Sequence, residues 1–168
     1  MSLNQTLQKI ESSTIFQNFK QQYPDAQFIA GFFILDFLSN DNKNSLDYKT
    51  DSKIFTFNLY PNNDITIQED KLIDIPNTPK LTSIKNIPEI KIELNDLKGI
   101  AGTSALDNGV SAKFHKIIAV FQNHENKLVW NLTCMLEQLI ILHILIDPET
   151  GEIIKFERKS MMDMIRKR

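Results

Sequence analysis

Apolar and polar positions along this chain follow two periods. From residue 3 to 22, Leu3, Leu7, Ile10, Ile15 and Phe19 recur at helical spacing among polar residues. That predicts one amphipathic helix, ended at Pro24 because proline cannot continue the hydrogen-bond ladder. The next stretch, QFIAGFFILDFL (27–38), is apolar on both faces and rich in Phe and Ile, the pattern of a strand central in a sheet. SNDNKNSLDYKTD (39–51) is polar and turn-rich and reads as a solvated loop. A hairpin is predicted over 52–70. Phe55, Phe57 and Leu59 alternate with Thr56 and Asn58, Pro61-Asn62-Asn63-Asp64 turns the chain, and Ile65 and Ile67 return.

The segment 75–88 holds Pro76, Pro79 and Pro88 and few large apolar residues, so it reads as an extended connector. The predicted organisation is a first half over 1–74, a Pro-rich connector over 75–88 and a second half over 89–168, together one compact unit. In the second half EIKIEL (89–94) is either a short strand or the lead into a helix. GTSALDNGVSAKF (102–114) predicts a short helix with Thr103 or Ser104 as N-cap and Gly109 inside it. KIIAVFQ (116–122) is a strand and NHEN (123–126) a turn. KLVWNLTCML (127–136) is a strand with Leu128, Trp130, Leu132 and Cys134 on one face. Two more strands flank the turn at Asp147–Gly151, and SMMDMIRKR (160–168) closes as a short helix. The class is α+β, an antiparallel sheet packed by short helices. Both halves read as helix then strands, and the turn in LYPNNDITI (59–67) is similar to that in IDPETGEII (146–154). Two tandem helix-plus-strands repeats and a single undivided unit are both open.

The segments LVWNLTCM and ILHILIDPETGEIIKFE bring a family into view. Trp130, followed by Ile146, Asp147, Thr150, Gly151, Glu152 and Ile153, resembles the closing strands of a PepSY-type repeat, and TSALDNG is similar to the start of that family's helix. The resemblance spans roughly residues 100–158. It implies a helix-on-sheet fold and an inhibitory or binding role rather than catalysis.

At 168 residues, 42% hydrophobic and 24% charged, the composition is that of a folded globular chain. The net charge of -2 gives no global field toward nucleic acid or an anionic surface. The opening residues MSLNQTLQKIESS lack the pattern of a secretory signal and no apolar run is long enough to span a bilayer, so a cytoplasmic protein with no membrane partner is expected. Cys134 is the lone cysteine, which excludes an intrachain disulfide and a cysteine-based metal site.

Candidate chemistry is sparse. His115, His124 and His143 stand in no ligand pattern, no glycine-rich phosphate loop occurs, and neither a cofactor nor a metal is expected. His143 interrupts an apolar strand, with Leu139, Ile141 and Leu145 on its face. It is either a core histidine held by one hydrogen bond or a ligand or switch residue. The last fourteen residues hold Lys155, Arg158, Lys159, Arg166, Lys167 and Arg168 against Glu157 and Asp163, a formal +4 in a chain of net -2. His143, Lys159, Arg166, Lys167 and Arg168 are the candidate binding residues. The expected function is a non-catalytic protein-interaction or ligand-binding module with a protein partner or a second copy. The alternative is an RNA- or ribosome-associated factor docking through residues 155–168.

Overall fold

A computed structural model of the protein describes residues 1–71 and 81–160. Two helices come first, α1 (Leu3–Glu11) and α2 (Thr14–Gln22), followed by β1 (Gln27–Asp36), β2 (Lys43–Lys49), β3 (Lys53–Leu59) and β4 (Ile65–Lys71). After the connector come α3 (Leu94–Asp107), β5 (Phe114–His124), β6 (Lys127–Leu136), β7 (Ile140–Ile146) and β8 (Ile153–Ser160). The eight strands form one antiparallel sheet in the order β4-β3-β2-β1-β5-β6-β7-β8. Each half is therefore a helical segment and a four-strand meander. The first strands of the two meanders, β1 and β5, pair at the centre of the sheet.

Helices cover one face. Leu3, Ile10, Phe16 and Phe19 from α1 and α2, and Leu94, Leu97, Ala101 and Ala105 from α3, join the core. They meet the inward residues of every inner strand, among them Phe33, Leu46, Phe57, Phe121, Trp130 and Leu142. The N-termini of α1 and α3 meet at one carboxylate. Leu3 N donates to Glu93 Oε2 at 3.0 Å, and Glu93 N donates to Asp96 Oδ2 at 2.9 Å. Trp130 is a core anchor, fully buried with Nε1 donating to Ile92 O at 2.8 Å. Gly31 leaves room for α1: a Cβ there would meet the Phe33 ring at 2.8 Å and Leu3 at 3.2 Å.

The α+β class, the hairpin over 52–70 and the strands around Trp130 and the Asp147–Gly151 turn are as the sequence predicts. Several boundaries differ, each for a local reason. The single helix over 3–22 is two helices, because Ser12 N closes onto Gln8 O and Ser13 caps a new start through its Oγ, which accepts from Phe16 N at 3.2 Å. The loop expected over 39–51 contains β2, with Leu46 and Tyr48 turned inward and Ser45 donating to Phe32 O. EIKIEL leads into α3 rather than forming a strand. That helix begins at Leu94, so Thr103 and Ser104 lie inside it and cap nothing. Gly109, expected inside a helix, follows its end at φ +77°, a conformation glycine adopts without strain. His115 and His124 are half-buried. The described part of the connector, 81–88, and the following residues to 92 hold no helix or strand but join the body: Ile84 N donates to Phe28 O at 2.7 Å, and Ile84 and Ile90 are buried in the core. The expected C-terminal helix, with Arg166, Lys167 and Arg168, lies outside the described residues.

Candidate functional site

Two of the predicted binding residues come together on the sheet face turned away from the helices. Alternation along β7 puts Ile140, Leu142, Ile144 and Ile146 into the core and His143 on the opposite side. There His143 stands opposite Thr133 of β6 and Glu157 of β8. Its Nε2 lies 2.8 Å from Asn131 Oδ1. The amide oxygen can only accept, so Nε2 carries the proton and Nδ1 is the acceptor of the neutral ring. Nδ1 lies 3.9 Å from Glu157 Oε2. The same carboxylate takes Lys155 Nζ at 3.1 Å and Lys159 Nζ at 3.9 Å, so Glu157 stands between the neutral His143 ring and Lys159.

The environment opposes a charged imidazole. Partial burial lowers the His143 pKa, and Lys155, Lys159 and His124 push the same way against Glu157. Glu157 is held below its ordinary value, first by the hydrogen bond from Lys155 and then by its charge. The result is a satisfied polar cluster on a rigid sheet. Asn131, Thr133 and Glu157 were not singled out from sequence, because they are brought to His143 by strand register alone. Cys134 points into the core, and burial pushes its thiol up to about 12, which makes it inert as a nucleophile. Among the described residues no group of three or more His, Cys, Asp or Glu could hold a metal ion.

An open concavity lies on the other face, between α3 and β8. It is a groove of about 940 Å³. Ile92, Ile100, Ile153 and Phe156 line it with apolar surface, and Asn95, Asp96, Thr103 and Asp107 give it polar positions. Gly99 of α3 also lines it, and a Cβ built there has nothing within 4 Å. β8 bounds the groove and is the last strand of the sheet, so the described residues pair only one of its edges. A bulge interrupts that strand, where the register shifts at Leu145/Ile146, and Ile154 beside it is 43% exposed.

No family model matches this chain, and no curated protein matches it. Among solved structures, a putative lipoprotein from Clostridium difficile 630 has a similar fold, with a TM-score of 0.57. The match covers 86% of this chain and 90% of that one at 14% identity. At that identity the likeness concerns the fold. No helix of the described residues is long and apolar enough to cross a membrane.

Proposed function

We propose that the protein is a non-catalytic protein-interaction module that receives an extended segment of a partner in the α3–β8 groove, alongside the edge of β8. The observation that carries this is the coincidence of three features: a groove with an apolar floor, a strand edge that no described residue pairs, and a helix glycine that leaves open space beside both. Edge strands recruit extended peptides through main-chain hydrogen bonds, and an adjoining pocket for side chains supplies selectivity. Glycine inside a helix costs about 1 kcal/mol against alanine, and at Gly99 no packing contact explains it. The resemblance of residues 100–158 to PepSY-type repeats, which act as binding or inhibitory modules, points the same way. So does the shared order of helix and meander in the two halves, which supports a doubled helix-plus-strands unit.

Gly99→Phe tests the reading. The new ring enters open space, so the melting temperature should hold or rise while the groove is obstructed. Affinity capture with the full chain should return a protein partner that survives nuclease treatment, and that partner should be lost with the variant. Size exclusion with light scattering distinguishes a second copy from a different protein. A partner released by nuclease would favour the RNA reading through residues 155–168, and capture unaffected by Gly99→Phe would refute the groove.

A further inference from the structure

β8 has one edge that no described residue pairs, and the charges along that edge are arranged about the strand's own midpoint. Glu149 and Glu152 precede the strand, and Arg158 and Lys159 lie in its second half. On the groove side Asp96 stands with Lys91 at the start, and Asp107 stands at the finish. The edge is therefore acidic where β8 begins and basic where it ends. Between the two, Lys155 and Glu157 flank Phe156. Lys155 lies opposite Leu145 and Glu157 opposite His143 on the open face, while Phe156 lies opposite Ile144 on the helix face.

A strand that pairs antiparallel with a copy of itself does so about a twofold axis, and facing residues lie equally far from that axis on either side. With the axis at Phe156, Lys155 faces Glu157 of the second copy, and the symmetry makes that pair twice. Ile154 then faces Arg158, Phe156 faces its own copy, and the acidic start lies toward the basic finish. No like charges meet. An axis at Lys155, Arg158 or Lys159 would set that cation on itself. An axis at Glu157 would set Glu157 on itself and Lys155 on Lys159, and one at Ile154 would run the strand into the Asp147–Gly151 turn. The opposite edge of the sheet offers nothing equivalent: within β4 the register that sets Glu69 on Lys71 also sets Asp70 on Asp70. Opposite charges directly across two strands stabilise their pairing and like charges oppose it. Charges and bulges ordinarily protect an edge from pairing. Here the bulge is confined to the start of β8, at Leu145/Ile146, and the charges that reject other strands accept this strand's own copy.

We propose that two copies of this chain join β8 to β8 about a twofold axis through Phe156. The sheet then runs on through both copies with all helices on one face, and the two α3–β8 grooves open onto each other across the axis. Each β8 is the extended segment that the other copy receives, and it covers the exposed Ile154 and the half-buried Phe156. This names the occupant of the same edge and groove, and so rests on the function proposed for them. An edge contact of this length is at the small end of specific interfaces, so the association is reversible and weak.

Sedimentation velocity and light scattering on the full chain, from micromolar to sub-millimolar concentration, test it. The parent is expected to form a dimer that weakens as salt rises. Lys155→Glu alone and Glu157→Lys alone each set like charges face to face on both sides of the axis, and each should weaken the dimer roughly tenfold. Their melting temperatures should stay close to the parent's, because both side chains are partly exposed. The two single variants mixed together should associate as the parent does, since each then meets the opposite charge. Lys155→Glu and Glu157→Lys combined in one chain should also restore the dimer. A dimer unmoved by the single changes, or one that neither mixing nor the double change restores, overturns the proposal. A monomeric parent whose captured protein partner is lost with Gly99→Phe would overturn the second copy and leave the function of the groove standing. A monomeric parent whose capture ignores Gly99→Phe would overturn both.

Discussion

Trp130→Ala is the sharpest test of how the sheet and α3 are held together. The indole is fully buried, with its ring centroid 5.1 Å from that of Phe121 and 5.9 Å from that of Phe33. Large-to-small changes of a buried aromatic cost about 3–5 kcal/mol through lost burial and the cavity left behind. The variant also strips Ile92 O of the donor at 2.8 Å, which adds roughly 1 kcal/mol where the cavity admits a water to replace it. The sum is about 4–6 kcal/mol, a large part of the stability of a domain this size. At about 2–4 °C per kcal/mol, the melting temperature should fall by roughly 10–20 °C. Trp130→Phe separates the two contributions, since it keeps a ring in the core and removes only the N–H and the outer part of the indole. Its expected cost is about 1–3 kcal/mol. Trp130 is the single tryptophan in the sequence, so unfolding must be followed by far-UV circular dichroism in urea and on heating rather than by its fluorescence. A Trp130→Ala variant that melts within about 2 °C of the parent would refute the assignment of this residue as a core anchor. Equal losses for alanine and phenylalanine would show that the Ile92 hydrogen bond, not packing, dominates.

Two further changes probe different physics. Gly151→Ala should lose about 1–2 kcal/mol by its urea midpoint, because φ is +80° and the new Cβ would sit 3.1 Å from Ile92 Cδ1. Gly109→Ala, at φ +77° with nothing within 4 Å, should lose less and so isolates the backbone contribution. Tyr48 is buried and donates to Glu11 Oε1 at 2.8 Å, and burial first, then Glu11, raises its phenol pKa well above the usual value. The folded phenol stays neutral while the unfolded one ionises near pH 10, so its contribution is present below about pH 10 and falls as pH rises beyond it. Tyr48→Phe should therefore cost about 1 kcal/mol at neutral pH and flatten the alkaline part of the stability profile.

What could be read from the sequence depended on how strongly each element declared its inward face. β1 carries a long apolar run and β7 one interrupted only by His143, and the Asp147–Gly151 turn has Asp147 Oδ1 accepting from Glu149 N and Thr150 N, a chemistry its residue types announce. β2 was hidden because Leu46 and Tyr48 are its only apolar inward residues, set among lysines, asparagines and aspartates that favour turns. α3 was misplaced because much of its stripe, Leu94, Leu97, Ala101 and Ala105, is alanine, while Gly99 and Gly102 suggest a break. The split between α1 and α2 rests on one serine cap within an otherwise continuous helical pattern. His143 stood out in the sequence, which suggested either a core histidine with one hydrogen bond or a ligand or switch residue. The fold makes it part of a surface cluster with Asn131, Glu157 and Lys159, since pairing register across three strands is not written in any one of them. The α3–β8 groove was invisible for the same reason, being formed by segments some fifty residues apart.

The central pairing of β1 with β5 also sets a timetable for synthesis. β2 is available to β1 almost at once, but the other edge of β1 waits for β5. Phe33 pairs with Ala119, and the intervening chain must be made first. At ribosomal rates of about 5–20 residues per second that wait lasts roughly 4–17 seconds. Throughout it the most apolar strand of the first half, FIAGFFIL, presents an unpaired edge. The nascent first half is therefore the aggregation-prone species of this protein. Truncations that end between β4 and β5 should demand chaperones far more than the complete chain does.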